Sequence, residues 1–274
     1  MITCKQYTDI RKKELKERIS GFKRPPGLVV VQVEGDSASD SYIRSKKKAC
    51  EEVGIKLVHE LLPHDSSDWD VIGKILRACG NADIDGVILQ LPLPEHLNKE
   101  FIQSHIAIKK DVDGFRLGSP FDPCTPKGVI DYLKYNNYYF RGKDVLVVGR
   151  SDIVGKPLAR MLTDLDCTVT LAHSKTEDLY GWLNVPDIVF TCINKIEYWD
   201  SYCDLREADV IDVGLGVGDD GKLHGNLKAE VVERRKEFIP DKITISGKGG
   251  VGLLTVCALL ENTVEAYERR VKYE

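Results

Sequence analysis

Short apolar runs alternate with amphipathic helical stretches along nearly the whole chain, and this alternation constrains the fold more than any other feature. The runs fall at residues 28–33, 56–62, 86–91, 144–148, 168–172, 188–191, 210–213 and 243–245. Leu28-Val29-Val30-Val31-Gln32-Val33 is apolar on nearly every position, the pattern of a strand covered on both faces rather than one. Helical patterns lie between the runs: an opening helix, one through Tyr42, one at 67–79 started by Ser66, Ser67 and Asp68, and one at 156–165. Strand–helix alternation places neighbouring strands in parallel, so the expected class is α/β. Breakers punctuate the series at Arg24-Pro25-Pro26-Gly27, Gly35, Pro92 and Pro94, and the Pro-rich stretch 119–126 divides it in two. At 274 residues the chain suits two domains. The expected units are residues 1–120, completed by a closing amphipathic helix at 253–274, and residues 121–252.

Composition excludes several classes of function. Net charge is −4 with acids and bases interspersed, and the clusters at Lys46, Lys47 and Lys48 and at Arg234, Arg235 and Lys236 have acids beside them. They read as solvated faces, and nucleic acid is not an expected partner. The cysteines (4, 50, 79, 124, 167, 192, 203 and 257) show no CxxC spacing and read as reduced thiols. The histidines form no close ligand pair, so no metal is expected. The N-terminus is charged and helical where a signal peptide is apolar, and no apolar run is long enough to cross a bilayer. The expected location is the cytoplasm.

Tyr42 and Lys46 stand four residues apart in SDSYIRSKKKACEEVGI, which on a helix projects a phenol and an amine from one face. At a period of 3.6, Ala49 and Val53 join that face, while Arg44, Lys47, Lys48, Glu51 and Glu52 fall mainly elsewhere. Lys46 is thus the one lysine of its run that points inward. A partly buried ammonium is costly unless paired, and burial favours its release of a proton. That makes Lys46 a candidate catalytic group; the competing reading is a stem laid on the core with its amine reaching water.

In the second series, VVGRSDIVGKP joins a strand to a helix, with Gly149 ending the strand, Gly155 entering the helix and Pro157 in its first turn. Such a turn aims backbone N–H groups at an anion. It is not GxGxxG, because Ser151 takes the middle glycine's place, and a simple tight turn would also explain it. The next strand ends Ala172-His173-Ser174-Lys175, without the carboxylate that holds a ribose 2'-hydroxyl in NAD sites. Hydroxyl and basic groups there, with Arg150, suit a 2'-phosphate, so the expected domain is Rossmann-type and the expected cofactor NADP.

Together, SYIRSKKKACEEVGI, DGVILQLPLPEH, KDVDGF, PCTPKG, VVGRSDIVGKP, AHSKT, VIDVG and GGVG with ENTVEA resemble the bifunctional methylenetetrahydrofolate dehydrogenase/cyclohydrolase family, in family order over nearly the whole chain. The resemblance implies NADP-dependent oxidation of 5,10-methylenetetrahydrofolate and hydrolysis of the methenyl product to 10-formyltetrahydrofolate, by a homodimer. It implies that Lys46 manages protons at the one-carbon bridge, that Gln90 hydrogen-bonds Lys46, that Tyr42 stacks on the folate and that Asp113 accepts from the pterin's amino edge. On residues alone Gln90 could cap a strand, Asp113 form a turn and Tyr42 fill a core. The resemblance further places Gly149, Arg150, Ser151, Ser174 and Leu215 at the cofactor, and Gly249 and Gly250 at the substrate. Cys124 and Thr125, in PCTP, receive no chemistry; their prolines read as a bend between domains.

The chain departs from the family pattern in its second half. Cys192-Ile193-Asn194-Lys195 stands where the family has Thr-Gly-x-Pro, and Asn226 where it has Asp. Lys248 and Leu253 replace prolines around Gly249-Gly250, and the connection between Phe115 and Pro123 is short. These changes set up an alternative, a cyclohydrolase with weakened dehydrogenation. Two further rivals are a shikimate-type NADP dehydrogenase, for which QLPLP and DVDGF would be accidents, and a non-catalytic folate or nucleotide sensor, which would not need Lys46.

Overall fold

A computed structural model describes residues 1–35, 37–183, 185–199, 205, 208–218 and 223–273, and the side chains of all of these except 37–41, 217, 223, 248–249 and 273. By its contacts the chain forms two units, one of Thr8–Cys124 with Val256–Glu274 and the other of Met1–Tyr7 with Thr125–Thr255.

The first unit is built on a parallel sheet in the order β2-β1-β3, from β1 (Gly27–Val33), β2 (Lys56–Leu62) and β3 (Gly86–Leu89). Successive side chains of a strand point to opposite faces. Accordingly Leu28 and Val30 enter one core while Val29, Val31 and Val33 enter another. The first core is shared with α1 (Cys4–Ser20), α2 (Ser37–Val53) and α9 (Gly252–Tyr273), through Leu15, Ile43, Cys50, Leu260 and Val264. The second takes Val71, Ile72 and Ile75 of α3 (Asp68–Gly80). Both faces of β1 are therefore dry, which is why its sequence is apolar at every position but Gln32, whose amide oxygen lies 2.8 Å from the His59 ring. Ser67 caps α3 in a reciprocal box with Asp70, as the Ser66-Ser67-Asp68 cluster leads one to expect. α9 binds to α1 by ion pairs as well, Arg11 to Glu261 and Arg18 to Glu268, each at 2.8 Å. A five-residue helix, α4 (Lys99–Gln103), and a 3-10 turn at Ile108–Lys110 complete this unit.

The second unit carries a five-stranded parallel sheet in the order β10-β7-β6-β4-β5. Its strands are β4 (Asp144–Val148), β5 (Thr168–Ala172), β6 (Ile188–Thr191), β7 (Asp209–Asp212) and β10 (Thr244–Ile245). The order grows outward in both directions from β4, the doubly wound arrangement, with its switch point at the end of β4. Residues of β4 again alternate, Val145 and Val147 into one core and Leu146 and Val148 into the other. Helices α5 (Cys124–Tyr135), α6 (Gly155–Thr163), α7 (Leu179–Trp182) and α8 (Ala229–Phe238) and an antiparallel pair, β8 (Leu215–Val217) with β9 (Leu223–Gly225), complete it.

Three findings differ from the reading of the sequence. Met1–Tyr7 group with the second unit, because Tyr7 packs edge-on against Tyr132 and Tyr135 and the Ile2 amide donates to Asn136 Oδ1 at 2.8 Å. The PCTP segment is more than a bend: Cys124 opens α5, whose first turn tolerates Pro126 since a first-turn proline forfeits no helical hydrogen bond. And the cluster at Arg234, Arg235 and Lys236 is not a solvated face throughout, since Arg235 is fully buried, donating to the Ala208 carbonyl at 2.6 Å, to Thr244 Oγ1 at 3.0 Å and to the Leu205 carbonyl. Burial pushes this guanidinium down to about 10, with the charge of Asp209 opposing.

Candidate functional site

The α2 face read from the sequence is the face the fold uses. Tyr42 and Lys46 are half-buried and Ala49 and Val53 buried, while Arg44, Lys47, Lys48, Glu51 and Glu52 are exposed. Lys46 Nζ reaches Gln90 Oε1 at 2.8 Å, at the carboxyl end of β3 where ligands of parallel sheets collect. Gln90 is itself held from two sides: its amide N–H donates to the Val31 carbonyl at 2.8 Å, and Nε2 donates to the Leu91 carbonyl at 2.7 Å. The second bond decides which way the amide faces. With Nε2 committed to a carbonyl, Oε1 is left to accept from the amine, and the reverse orientation would set donor against donor.

Asp113 stands within electrostatic reach of Lys46. Burial raises its carboxyl above the usual range, the Lys46 charge opposes that rise and Asp111 adds to it. Asp111, to which sequence reasoning gave no role, is the more buried of the two and shapes the turn, accepting from the Arg116 amide at 2.9 Å. Gly114 follows with φ +73, and a Cβ there would lie 2.6 Å from the Phe121 carbonyl oxygen, so the KDVDGF turn needs glycine for both conformation and room. Burial also pushes the Tyr42 hydroxyl and the Cys50 thiol up, the latter to about 12. Lys46, Gln90 and Asp113 thus share one site in the first unit, with Tyr42 one helical turn from Lys46 on the same face.

In the second unit, Gly149 ends β4 with φ +121, and a Cβ on it would lie 2.4 Å from the Cys192 carbonyl oxygen. Gly149→Ala is expected to cost about 1–3 kcal/mol of stability in chemical denaturation. Gly142→Ala, at φ +75 with open space around it, isolates the conformational part and is expected to cost less. Ser151 replaces the missing glycine with an active role: its Oγ accepts from the amides of Val154 and Gly155 at 3.2 and 3.3 Å, tying the loop to the start of α6. Arg150 and Ser174 are exposed, and the turn after β5 is fixed by Thr176, whose Oγ1 accepts from the His173 amide at 2.8 Å. The Lys175 amide donates to His173 Nδ1 at 3.1 Å, which leaves the ring proton on Nε2. Exposed Arg150, Ser174 and Lys175 with no carboxylate at this strand end fit a cofactor bearing a 2'-phosphate. Leu215 is half-buried on β8, beside Gly247 and Gly252. Gly250 is buried in a π-helical turn at Gly247–Val251; the Lys248 side chain and Gly249 lie outside the described side chains.

The sequence reading passed over one network beside this loop. Asp212, fully buried at the end of β7, accepts from Thr191 Oγ1 (3.0 Å) and from the amides of Asn226 (3.0 Å) and Leu227 (3.2 Å). An acid at the end of the apolar run Val210-Ile211-Asp212-Val213 was the available signal. Asn226 then uses its whole amide on the segment after β6: Oδ1 accepts from the Ile193 amide at 3.2 Å, and Nδ2 donates to the carbonyls of Ile193 at 2.9 Å and Lys195 at 2.5 Å. Asn226 therefore holds the main chain of the departing segment at Ile193 and Lys195.

Cys4, Cys50, Cys79, Cys124, Cys167, Cys192 and Cys257 are free thiols, and Cys203 lies outside the described residues. Among the described residues no cluster of metal-binding side chains occurs, and no helix is long and apolar enough to cross a membrane.

Comparison with known proteins finds relatives for both parts of the chain. Residues 2–113 match the family described as tetrahydrofolate dehydrogenase/cyclohydrolase, catalytic domain, and residues 123–271 match its NAD(P)-binding domain. The bifunctional protein FolD of Ligilactobacillus salivarius is 37% identical over 272 residues, 95% of this chain and 94% of that protein. The crystal structure of the FolD methylenetetrahydrofolate dehydrogenase/cyclohydrolase from Campylobacter jejuni superposes with a TM-score of 0.88 at 33% identity, covering 97% of this chain and 98% of that one. The Trypanosoma brucei enzyme, complexed with NADP and an inhibitor, gives a TM-score of 0.89 at 28% identity over 99% of this chain and 98% of that one. Matched in both domains and along nearly its whole length, this chain belongs to the tetrahydrofolate dehydrogenase/cyclohydrolase family.

Proposed function

We infer that this protein oxidises 5,10-methylenetetrahydrofolate with NADP and hydrolyses the resulting methenyl compound to 10-formyltetrahydrofolate, with Lys46 as the proton-handling group. The observation that carries the assignment of Lys46 is its 2.8 Å hydrogen bond to an uncharged acceptor, Gln90. A carboxylate there would hold the ammonium form; a carboxamide accepts equally from an ammonium or a neutral amine. Lys46 therefore keeps its position in both protonation states, as a group that takes and returns protons must. In the hydrolysis, water adds to the cationic bridging carbon while Lys46 accepts one of its protons and returns it to the pterin nitrogen as that nitrogen's bond to the carbon breaks, the remaining hydroxyl proton passing to solvent as the formyl C=O forms. Asp113 accepts from the pterin's amino edge, and the Tyr42 ring packs on the heterocycle.

When bound, NADP supplies the acceptor for the hydride leaving the methylene carbon. Arg150, Ser174 and the loop through Gly149 and Ser151 bind and orient it, Leu215 packs against it, and Gly249 and Gly250 border the substrate. A homodimer in the cytoplasm is the assembly and location that fit this reading. Separate assays of the two half-reactions on the purified protein test it. NADP reduction with methylenetetrahydrofolate and loss of the methenyl chromophore are both expected; absence of either removes that activity from the proposal.

The raised carboxyl of Asp113 gives a pH-dependent prediction. A carboxyl lifted by burial is penalised when charged, so the penalty is absent below the usual carboxylate range, grows as pH rises above it and is complete only above the native value. Asp113→Asn is expected to raise the urea midpoint at pH 7 to 8, with the gain vanishing toward acid pH, while folate affinity falls. A variant less stable at pH 7 would contradict this.

A further inference from the structure

The amino end of β3 and the last turns of α9 border a cavity of about 470 Å³. It lies at the end of the strand away from Gln90: Asp85 lines it just before β3 begins, five residues earlier, or about 16 Å of extended chain. It is thus separate from the Lys46 site. Its size is that of a small-molecule pocket. Ile108, Pro120 and Ala266 give it an apolar wall.

Its electrostatics are unbalanced. The Asp85 carboxylate, fully buried, meets Arg24 through two bonds at 2.8 and 3.0 Å and Arg270 Nε at 3.1 Å. Lys110 donates to the Asn81 carbonyl at 2.8 Å, and burial pushes its ammonium below the usual value, opposed by Cys79 and Asp85 and reinforced by Arg270 and Arg24. Lys109 is exposed at the rim, and Arg269 pairs with Glu265 at 2.6 Å. Even with the exposed Asp83, 3.7 Å from Arg24, counted beside Asp85 and Glu265, the cations exceed the carboxylates by two, in a chain whose net charge is −4. A concentration of positive charge against an apolar wall is complementary to a molecule with an anionic head and an apolar body.

We propose that this cavity binds an amphipathic organic anion, an apolar ring or chain ending in a phosphate or carboxylate, at a site distinct from those for folate and NADP. The apolar body lies against Ile108, Pro120 and Ala266, and the head group faces Lys109, Lys110 and Arg270. Calorimetric titration with 1-naphthyl phosphate and 1-naphthoate, on protein saturated with NADP and tetrahydrofolate, tests the assignment. At least one of the two is expected to bind at a single site, with inorganic phosphate and 1-naphthol each binding at least tenfold more weakly. Lys109→Glu is expected to weaken the naphthyl anion at least tenfold with NADP reduction unchanged, and Lys16→Glu, exposed on α1, to leave it unaffected. The proposal is overturned if neither anion binds the saturated protein, if inorganic phosphate binds as tightly, or if Lys109→Glu leaves the affinity unchanged.

Discussion

Lys46→Met is expected to lower the hydrolysis of methenyltetrahydrofolate by about 10²- to 10⁴-fold, the range associated with removing a general acid–base group, while folate still binds. Methionine keeps the length and apolar stem of the lysine, so the α2 face can pack as before, but it can neither accept a proton nor donate to Gln90 Oε1. Hydride transfer rests on the electronics of cofactor and folate and on their orientation, so NADP reduction is expected to fall by a smaller factor. The companion substitution Gln90→Glu tests the argument from the neutral acceptor. A carboxylate 2.8 Å from the amine favours the ammonium. The loss of hydrolysis should then diminish as pH rises, a displacement of the pH profile that a merely structural defect would not produce. If Lys46→Met hydrolyses the methenyl compound at the normal rate, Lys46 has no chemical role.

The placement of Lys46 and Gln90 was legible in the sequence because its information is local. A helix period of 3.6 places Lys46 on the apolar side of α2 whatever the rest of the chain does, and a strand ended by Leu91-Pro92 puts Gln90 at a carboxyl terminus. The strands were legible for the same reason: β1, buried on both faces, is apolar at every position but Gln32. What escaped reading depends on partners distant in sequence. Arg235 looks like any basic residue on a charged helix until the carbonyls of Leu205 and Ala208, some thirty residues away, accept its donors. Tyr7 belongs to the second unit because of Tyr132 and Tyr135. Asp111 and Asp113 are the same residue type two positions apart, and only the fold shows that the first shapes the turn through the Arg116 amide. The departure at Asn226 reads as erosion when taken singly, because no sequence pattern shows that its amide binds the main chain at Ile193 and Lys195.

Asn226→Asp is expected to raise the KM for NADP by about tenfold or more, and to cost about 2–4 kcal/mol of stability at neutral pH. The asparagine amide is matched to its surroundings, with one acceptor for the Ile193 amide and two donors for the carbonyls of Ile193 and Lys195. Aspartate retains the acceptor but turns its other oxygen toward two carbonyls, and it brings a second carboxylate next to buried Asp212, which already accepts the amide of residue 226. The segment so loosened begins at Cys192, whose carbonyl oxygen occupies the space a Cβ on Gly149 would need, so displacement there reaches the cofactor loop directly. On the proposed roles of Lys46 and Gln90, which lie in the other unit, hydrolysis should keep its rate. The sign of the pH dependence follows from the chemistry. Protonation of the introduced carboxyl restores one donor and removes one charge, so the loss of stability should shrink as pH falls and be largest above neutrality. A purely steric defect would be indifferent to pH, and a general weakening of the fold would depress both half-reactions together. Either result would show that the Asn226 amide does not hold the segment after β6 against the Gly149 loop.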